Sequence, residues 1–280
     1  MTSDGDVSVA CVGAGYWGRN LIRVFHGGLR GARLAVVCDL RAEVLENVAA
    51  NYSDVSVAAD LNAVLTDDEV EAVVLAIPAS SHFQAARRAL EAGKHVFVEK
   101  PMTMDVGEAE ELVALSDSNG LVLMVGHLLV YHPAVSKLRE LVRAGEFGEI
   151  YYLYAQRVNL GVVRSNENAL WNFGPHDVSV ILNLLDMEPV CVSAQGQGYL
   201  QEGIEDVVFV NMHFADGKMA QLHLSWLDPH KARKLTIVGS RKMAVFDDTE
   251  SNEKLRVYDK SAEREDYESY GEVISLRFGD

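Results

Sequence analysis

The run VGAGYWG sets Gly13, Gly15 and Gly18 in a Gly-x-Gly-x-x-Gly spacing directly after the apolar stretch VSVACV. In such a turn the first glycine makes the tight bend and the second lets backbone amides approach a pyrophosphate. The third lets the following helix pack closely on the strand, and the phosphates rest on that helix's N-terminus. The spacing alone is common; its place between a strand-like and a helix-like stretch specifies a dinucleotide. Asp39 closes the next apolar run, RLAVVC, where an acid accepts hydrogen bonds from ribose hydroxyls. Lys100 stands between Glu99 and Pro101. Proline cannot donate a ladder hydrogen bond and biases the residue before it away from helix, so Lys100 leaves its strand end as a cation. It can donate to a developing alkoxide, or lose its proton if desolvation lowers its pKa. His176, in LWNFGPHDVSV, carries the side chain that titrates near neutral pH and is the candidate general base. Each residue also has a plainer account: Asp39 as a solvated acid, Lys100 paired with Glu99 at the surface, His176 as a helix-start residue.

The elements that must position these groups follow from periodicity. Short apolar runs at 7–12, 33–38, 55–58, 71–77, 94–99 and 121–125 do not alternate with polar residues, as expected of strands covered on both faces. Helical spacing fills the gaps. Ser80 or Ser81 can cap a helix through Ala92, Asp105 one carrying Val106, Ala109, Leu112 and Val113, and a third runs from His132 to Ala144 with Pro133 near its start. Strands alternating with helices predict a doubly wound parallel sheet over residues 1–126. Beyond it, longer two-faced runs at 149–160, 191–200, 206–215, 218–227, 234–240 and 242–248 are joined by turns such as Ala215-Asp216-Gly217 and Gly239-Ser240-Arg241. Residues 127–280 are therefore predicted to be an α+β domain with a mainly antiparallel sheet. A helix over 175–187 lies on one face, Asp177 caps its start, and the open face is left to bury itself against a second copy.

The chain has 280 residues, 49% hydrophobic and 24% charged, with a formal net charge of -16. Nucleic acid demands clustered Lys and Arg, so the balance argues against a polynucleotide partner. No run reaches the ~20 apolar residues of a membrane span, and the N-terminus lacks the charged and apolar regions of a secretion signal. Cys11, Cys38 and Cys191 show no metal spacing or disulfide framework. The expectation is a cytoplasmic protein with no metal site.

With AIPASSH at 76–82 and VFVEKPM at 96–102 added to the glycine turn, the chain resembles the Gfo/Idh/MocA oxidoreductases along its whole length. The resemblance implies that Lys100 acts in catalysis close to a nicotinamide. It implies that Tyr16, Trp17, Ile77, Pro78, His82 and Glu99 line the cofactor side, although His82 reads equally as a helix-start residue with no role. NAD is the expected cofactor, since the Asp39 carboxylate repels a 2′-phosphate, while Arg41 leaves NADP open. His127 and Tyr131 follow the sixth strand and are assigned to the substrate side. His176 matches the family's catalytic histidine. The family often has an aspartate one helical turn earlier, but position 172 here is Asn, which orients an imidazole without stabilising an imidazolium. Family members also continue past the terminal run EVISLRFGD, so the resemblance implies a chain shortened at its C-terminus.

Arg157, Asn159, Arg164 and Asn172 supply donors, and Trp171 and Tyr131 supply flat surfaces for a sugar or base. The stretch VRSNENALWNFGPHD is similar to the family branch acting on nucleotide-linked sugars. The expected reaction is NAD-dependent oxidation of a secondary alcohol, at C3 of a UDP-linked N-acetylated aminosugar or its uronic acid, by a homo-oligomer (dimer or tetramer). A sugar-nucleotide ketoreductase or a free-polyol dehydrogenase of the inositol type is the alternative among enzymes. A non-catalytic dinucleotide-binding sensor is the alternative outside them.

Overall fold

The computed structural model describes residues 5–161, 163–165, 167–265 and 273–276. By internal contacts the chain divides into two compact units, Met1–Gly126 and His127–Asp280.

The first unit alternates strand and helix: β1 (Val7–Val12), α1 (Gly18–His26), β2 (Ala32–Cys38), α2 (Ala42–Asn51), β3 (Ser56–Ala58), α3 (Leu61–Leu65), β4 (Ala72–Leu75), α4 (His82–Glu91), β5 (His95–Val98), α5 (Val106–Asn119) and β6 (Leu123–Val125). All pairings are parallel, in the order β3-β2-β1-β4-β5-β6. The order reverses between β1 and β4, and ligands of such sheets bind beyond the strand ends at that point. β1 is apolar apart from Ser8 because both faces are covered. Val9 and Cys11 pack with Ile22 of α1 and with Val44 and Val48 of α2. Ala10 and Val12 pack in the other cluster, with Ala85, Ala86, Ala89 and Leu90 of α4 and Leu112 of α5.

Helix ends follow the sequence where a side-chain cap is made. Asp105 accepts from the Glu108 amide at 3.1 Å, and Gly120 ends α5 with φ 64°. Ser81 holds the N-cap position of α4, but its hydroxyl makes no cap. A 3-10 turn over Ala79–Ser81 runs straight into the helix, and its carbonyls take the first amides instead. The predicted apolar stripe of α5 is also corrected: Leu112 and Ser116 are buried, while Val106 and Val113 are exposed.

The second unit begins with a 3-10 turn at Leu128–Tyr131 and α6 (Pro133–Arg143), whose N-cap His132 accepts from the Ala134 amide. There follow β7 (Ile150–Val158), α7 (Ala169–Leu185), β8 (Pro189–Gln197), β9 (Val207–Phe214), β10 (Met219–Ser225), β11 (Ala232–Gly239), β12 (Met243–Asp247) and β13 (Leu255–Tyr258). These strands form one sheet in the order β13-β12-β11-β7-β10-β9-β8, antiparallel except for β7 with β10. β14 (Ala262–Glu265) and β15 (Val273–Leu276) make a separate hairpin; they hold the described part of the terminal strand-like run, whose last residues, 277–280, lie outside the described residues. Strand alternation is clear in β9, where Val208, Val210, Met212 and Phe214 are buried against Val180, Ile181 and Leu184 of α7. The opposite face of the sheet exposes Tyr152, Tyr154, Phe209 and Met219.

The α7 helix corrects the sequence reading twice. It starts at Ala169, with Asn168 accepting from the Trp171 amide at 3.0 Å, and Pro175 lies inside it. Gly174-Pro175 reads locally as a break. The helix continues through both residues, and the missing side chain at Gly174 suits close packing: a Cβ there would press on Leu170 and reach Leu224 of β10. Asp177 therefore caps nothing. It is buried within the helix and receives Nε and Nη2 of Arg157 at 2.8 and 2.9 Å.

Candidate functional site

In the first unit the glycine turn leaves the end of β1. Gly13 has φ 93°, and a Cβ on it would strike the Ala76 backbone after β4. A Cβ on Gly18 would run into the Gly13 carbonyl, so this glycine closes the helix onto its strand. Gly15 differs, because a Cβ there meets nothing within 4 Å. No contact within the protein requires glycine at position 15, and the open space above the turn fits a pyrophosphate on the N-terminus of α1. Tyr16 and Trp17 lie on the same turn, both exposed.

Asp39 follows β2 and is itself well filled. Its oxygens accept from the Ala14 amide at 2.9 Å, the Arg41 amide at 3.0 Å, and Arg41 Nε and Nη2 at 2.9 Å each. The Arg41 guanidinium, with these amides, holds the carboxyl down at about 2 against its burial. Asp39 thus ties the glycine turn to β2, and Arg41 covers the acid expected to meet a ribose. A ribose hydroxyl must displace it.

The Glu99-Lys100-Pro101 stretch leaves the end of β5. Glu99 is buried, its carboxyl pushed up by that burial, and it accepts from the Trp17 indole at 2.6 Å and the Lys100 amide at 3.3 Å. A Cβ on Gly126, past β6, would sit 3.0 Å from the same carboxylate. One acid therefore braces the glycine turn and the Lys100 backbone, and it leaves no room for a side chain at Gly126. Sequence reasoning placed Trp17 and Glu99 separately on the cofactor side and missed the bond between them, which spans 82 positions.

His82 is corrected. At 1% exposure it has no face open to a cofactor. Its Nδ1 lies 2.7 Å from the Pro101 carbonyl oxygen and its Nε2 3.0 Å from that of Ile77, and burial lowers its pKa. It joins the loop after β4 to the loop after β5, and so braces Ile77 and Pro101 instead of touching a ligand.

In the second unit His176 and Asn172 lie one turn apart on α7, both partly buried, with Trp171 beside them. His127 is partly buried at the start of the 3-10 turn, Tyr131 ends it exposed, and Asn159 follows β7. Arg157 does not offer the open fork expected of it: its side chain is 7% exposed and committed to Asp177. Arg164 is exposed and pairs with Glu167 at 3.1 Å. Glu167, which sequence reasoning passed over, accepts from Asn172 Nδ2 at 2.9 Å, and Asn172 Oδ1 lies 3.4 Å from the Trp226 indole nitrogen. Val162 and Asn166, within this stretch, lie outside the described residues. No group of three or more His, Cys, Asp or Glu suited to a metal ion occurs among the described residues.

Comparison with known proteins adds a second line. Residues 7–127 match the family described as the Oxidoreductase family, NAD-binding Rossmann fold, and residues 135–245 match the GFO/IDH/MocA C-terminal domain. The chain is 33% identical over 254 residues to the UDP-N-acetylglucosamine 3-dehydrogenase of Acidithiobacillus ferrooxidans, covering 90% of this chain and 76% of that one. It is 30% identical over 226 residues to the inositol 2-dehydrogenase of Mycolicibacterium smegmatis, covering 78% and 65%. Among solved structures, GenD2 from gentamicin A biosynthesis, in complex with NAD, is similar with a TM-score of 0.81 at 26% identity, over 88% of this chain and 75% of that one.

Proposed function

The chain belongs to the GFO/IDH/MocA oxidoreductase family, and from that premise we propose that it oxidises C3 of a UDP-linked N-acetylated aminosugar or its uronic acid. It is an NAD(P)-dependent dehydrogenase acting on the CH–OH groups of sugars or polyols, with an NAD-binding Rossmann domain. The observation that carries the finer reading is the 33% identity to a UDP-N-acetylglucosamine 3-dehydrogenase over 90% of the chain.

The bound nicotinamide supplies the hydride acceptor. In the proposed chemistry His176 takes the hydroxyl proton as general base. Lys100 donates a hydrogen bond to the same oxygen and stabilises the alkoxide as charge develops. Glu99 and Trp17 hold the Lys100 backbone at its strand end. Arg164, Asn159, Trp171, Tyr131 and His127 are proposed to meet the sugar nucleotide, which leaves Arg157 to structure. The enzyme is proposed to work in the cytoplasm, which its three free thiols suit.

A free polyol is the second reading. It is favoured by the relative named for inositol and by the loss of the Arg157 fork to Asp177, since a pyrophosphate then has only Arg164 of the expected pair. The deciding experiment screens UDP-, dTDP- and GDP-sugars and free polyols with NAD and NADP, following absorbance of the reduced nicotinamide. Turnover of a UDP-N-acetylhexosamine with NAD, competitively inhibited by UDP alone, is expected; turnover confined to inositols would replace the proposal. Lys100→Ala should lower kcat by about 10²-fold or more. Wild-type turnover in that variant on every accepted substrate would remove Lys100 from the mechanism.

A further inference from the structure

Position 172 lies one turn before His176 on α7, where side chains at i and i+4 are neighbours. Its amide has a donor end and an acceptor end, and two partners decide which end goes where. Glu167 Oε1 lies 2.9 Å from Nδ2, and an ionised carboxylate only accepts. Trp226 Nε1 lies 3.4 Å from Oδ1, and an indole only donates. Both require the same orientation. Glu167 is 12% exposed and is itself fixed by Arg164 Nε at 3.1 Å on the same oxygen, while Trp226 is fully buried.

We propose that Glu167 is a positioning residue: it locks the Asn172 amide with its nitrogen on the carboxylate and its oxygen as the accepting end. That orientation sets the hydrogen-bonding group that the His176 imidazole meets one turn on. The role rests on the reading of His176 as general base. Without the carboxylate only the long Trp226 contact, 3.4 Å, opposes a 180° flip of the amide, which presents a donor where the imidazole N–H needs an acceptor. Glu167 also supplies, five residues earlier in the chain, the carboxylate that position 172 lacks, relayed through an amide and paired with an arginine.

The test is a cycle of Glu167→Gln, Asn172→Asp and the double variant. Asn172→Asp alone sets two carboxylates face to face, and Glu167→Gln alone lets the amide turn. In the double variant the amide introduced at position 167 donates to the carboxylate introduced at position 172, so the same bond is rebuilt with its direction reversed. Each single variant should lose about tenfold in kcat with the KM for NAD within about twofold, and should melt at a lower Tm. The double should recover kcat to within about threefold, together with the Tm. The sugar substrate is the one the screen identifies, and the Tm cycle needs none. Additive losses in both readouts overturn the proposal. Recovery of Tm without recovery of kcat keeps the hydrogen bond but overturns the positioning role. A coupled Tm cycle in an enzyme that turns over no sugar or polyol sinks the general-base reading instead, and the role built on it.

Discussion

At the scale of single residues, the carboxylates carry the chemistry that can be measured directly. Asp39 titrates near 2, below its ordinary 3.8, because Arg41 and backbone amides favour the ion. A depressed folded-state value stabilises the protein above about pH 4, and the contribution fades as pH falls through about 2. Asp39→Asn should cost about 2 kcal/mol in urea unfolding at pH 7, with the difference from wild type shrinking toward pH 2; an unchanged difference would show that Arg41 does not act through charge. The same variant leaves Arg41 free, so NADP should gain on NAD in kcat/KM. Thiols give a second check. Burial pushes Cys11 up to about 12 and Cys38 to about 11, while Cys191 is exposed. A thiol reagent at pH 8 should label Cys191 alone in the folded protein and all three thiols after unfolding. Rapid labelling of Cys11 would contradict the packing of β1.

At the scale of elements, the glycine turn separates what folding needs from what the ligand needs. Gly18→Ala drives a methyl into the Gly13 carbonyl, and overpacking of that kind costs about 3 kcal/mol. Gly15→Ala meets no protein atom, so its Tm should stay within a degree or two of wild type. Its methyl stands where backbone amides approach the pyrophosphate, so NAD binding measured by calorimetry should weaken at least about tenfold. Equal destabilisation by both substitutions would mean that position 15 is a folding position. The α7 helix makes the converse point: Pro175 forfeits a hydrogen bond and Gly174 adds flexibility. The buried Arg157–Asp177 pair and the packing of Ala169, Val180, Ile181 and Leu184 in the core of the sheet hold the helix through both.

At the scale of the whole molecule, the open face of the second unit's sheet is the feature left over. β7 is the central strand of seven, yet Tyr152 and Tyr154 stand exposed on it and stack at 6.2 Å. Phe209 and His223 stack at 4.5 Å on neighbouring strands. Exposed aromatic residues on a central strand are the kind of surface that marks protein–protein contact, and a second copy of the chain is the proposed cover. Tyr152→Glu with Tyr154→Glu should reduce the mass seen by light scattering to that of a monomer at micromolar concentration. Wild type that is already monomeric under those conditions would remove the proposal.

The parts of this protein legible in its sequence were those fixed by near neighbours along the chain. The inner strands β1, β2 and β4 read as mainly apolar runs because both of their faces are covered, while the edge strands β3 and β6 are partly exposed. The glycine turn needs three residues at set spacing, and Asp105 and Pro133 sit at helix starts for local reasons. Nothing local announces a contact across the fold. The bond from Trp17 to Glu99, the two carbonyls around His82, the Arg157–Asp177 pair and the Glu167–Asn172–Trp226 relay each join separate elements. Gly174-Pro175 misled for the same reason, since a local breaker is overridden by packing that periodicity does not encode. Sequence determined which elements exist and which residues have the chemistry to act. Tertiary structure decided which of those residues are spent on one another and which remain for a ligand, because a buried charge or donor must find its partner wherever the topology brings one.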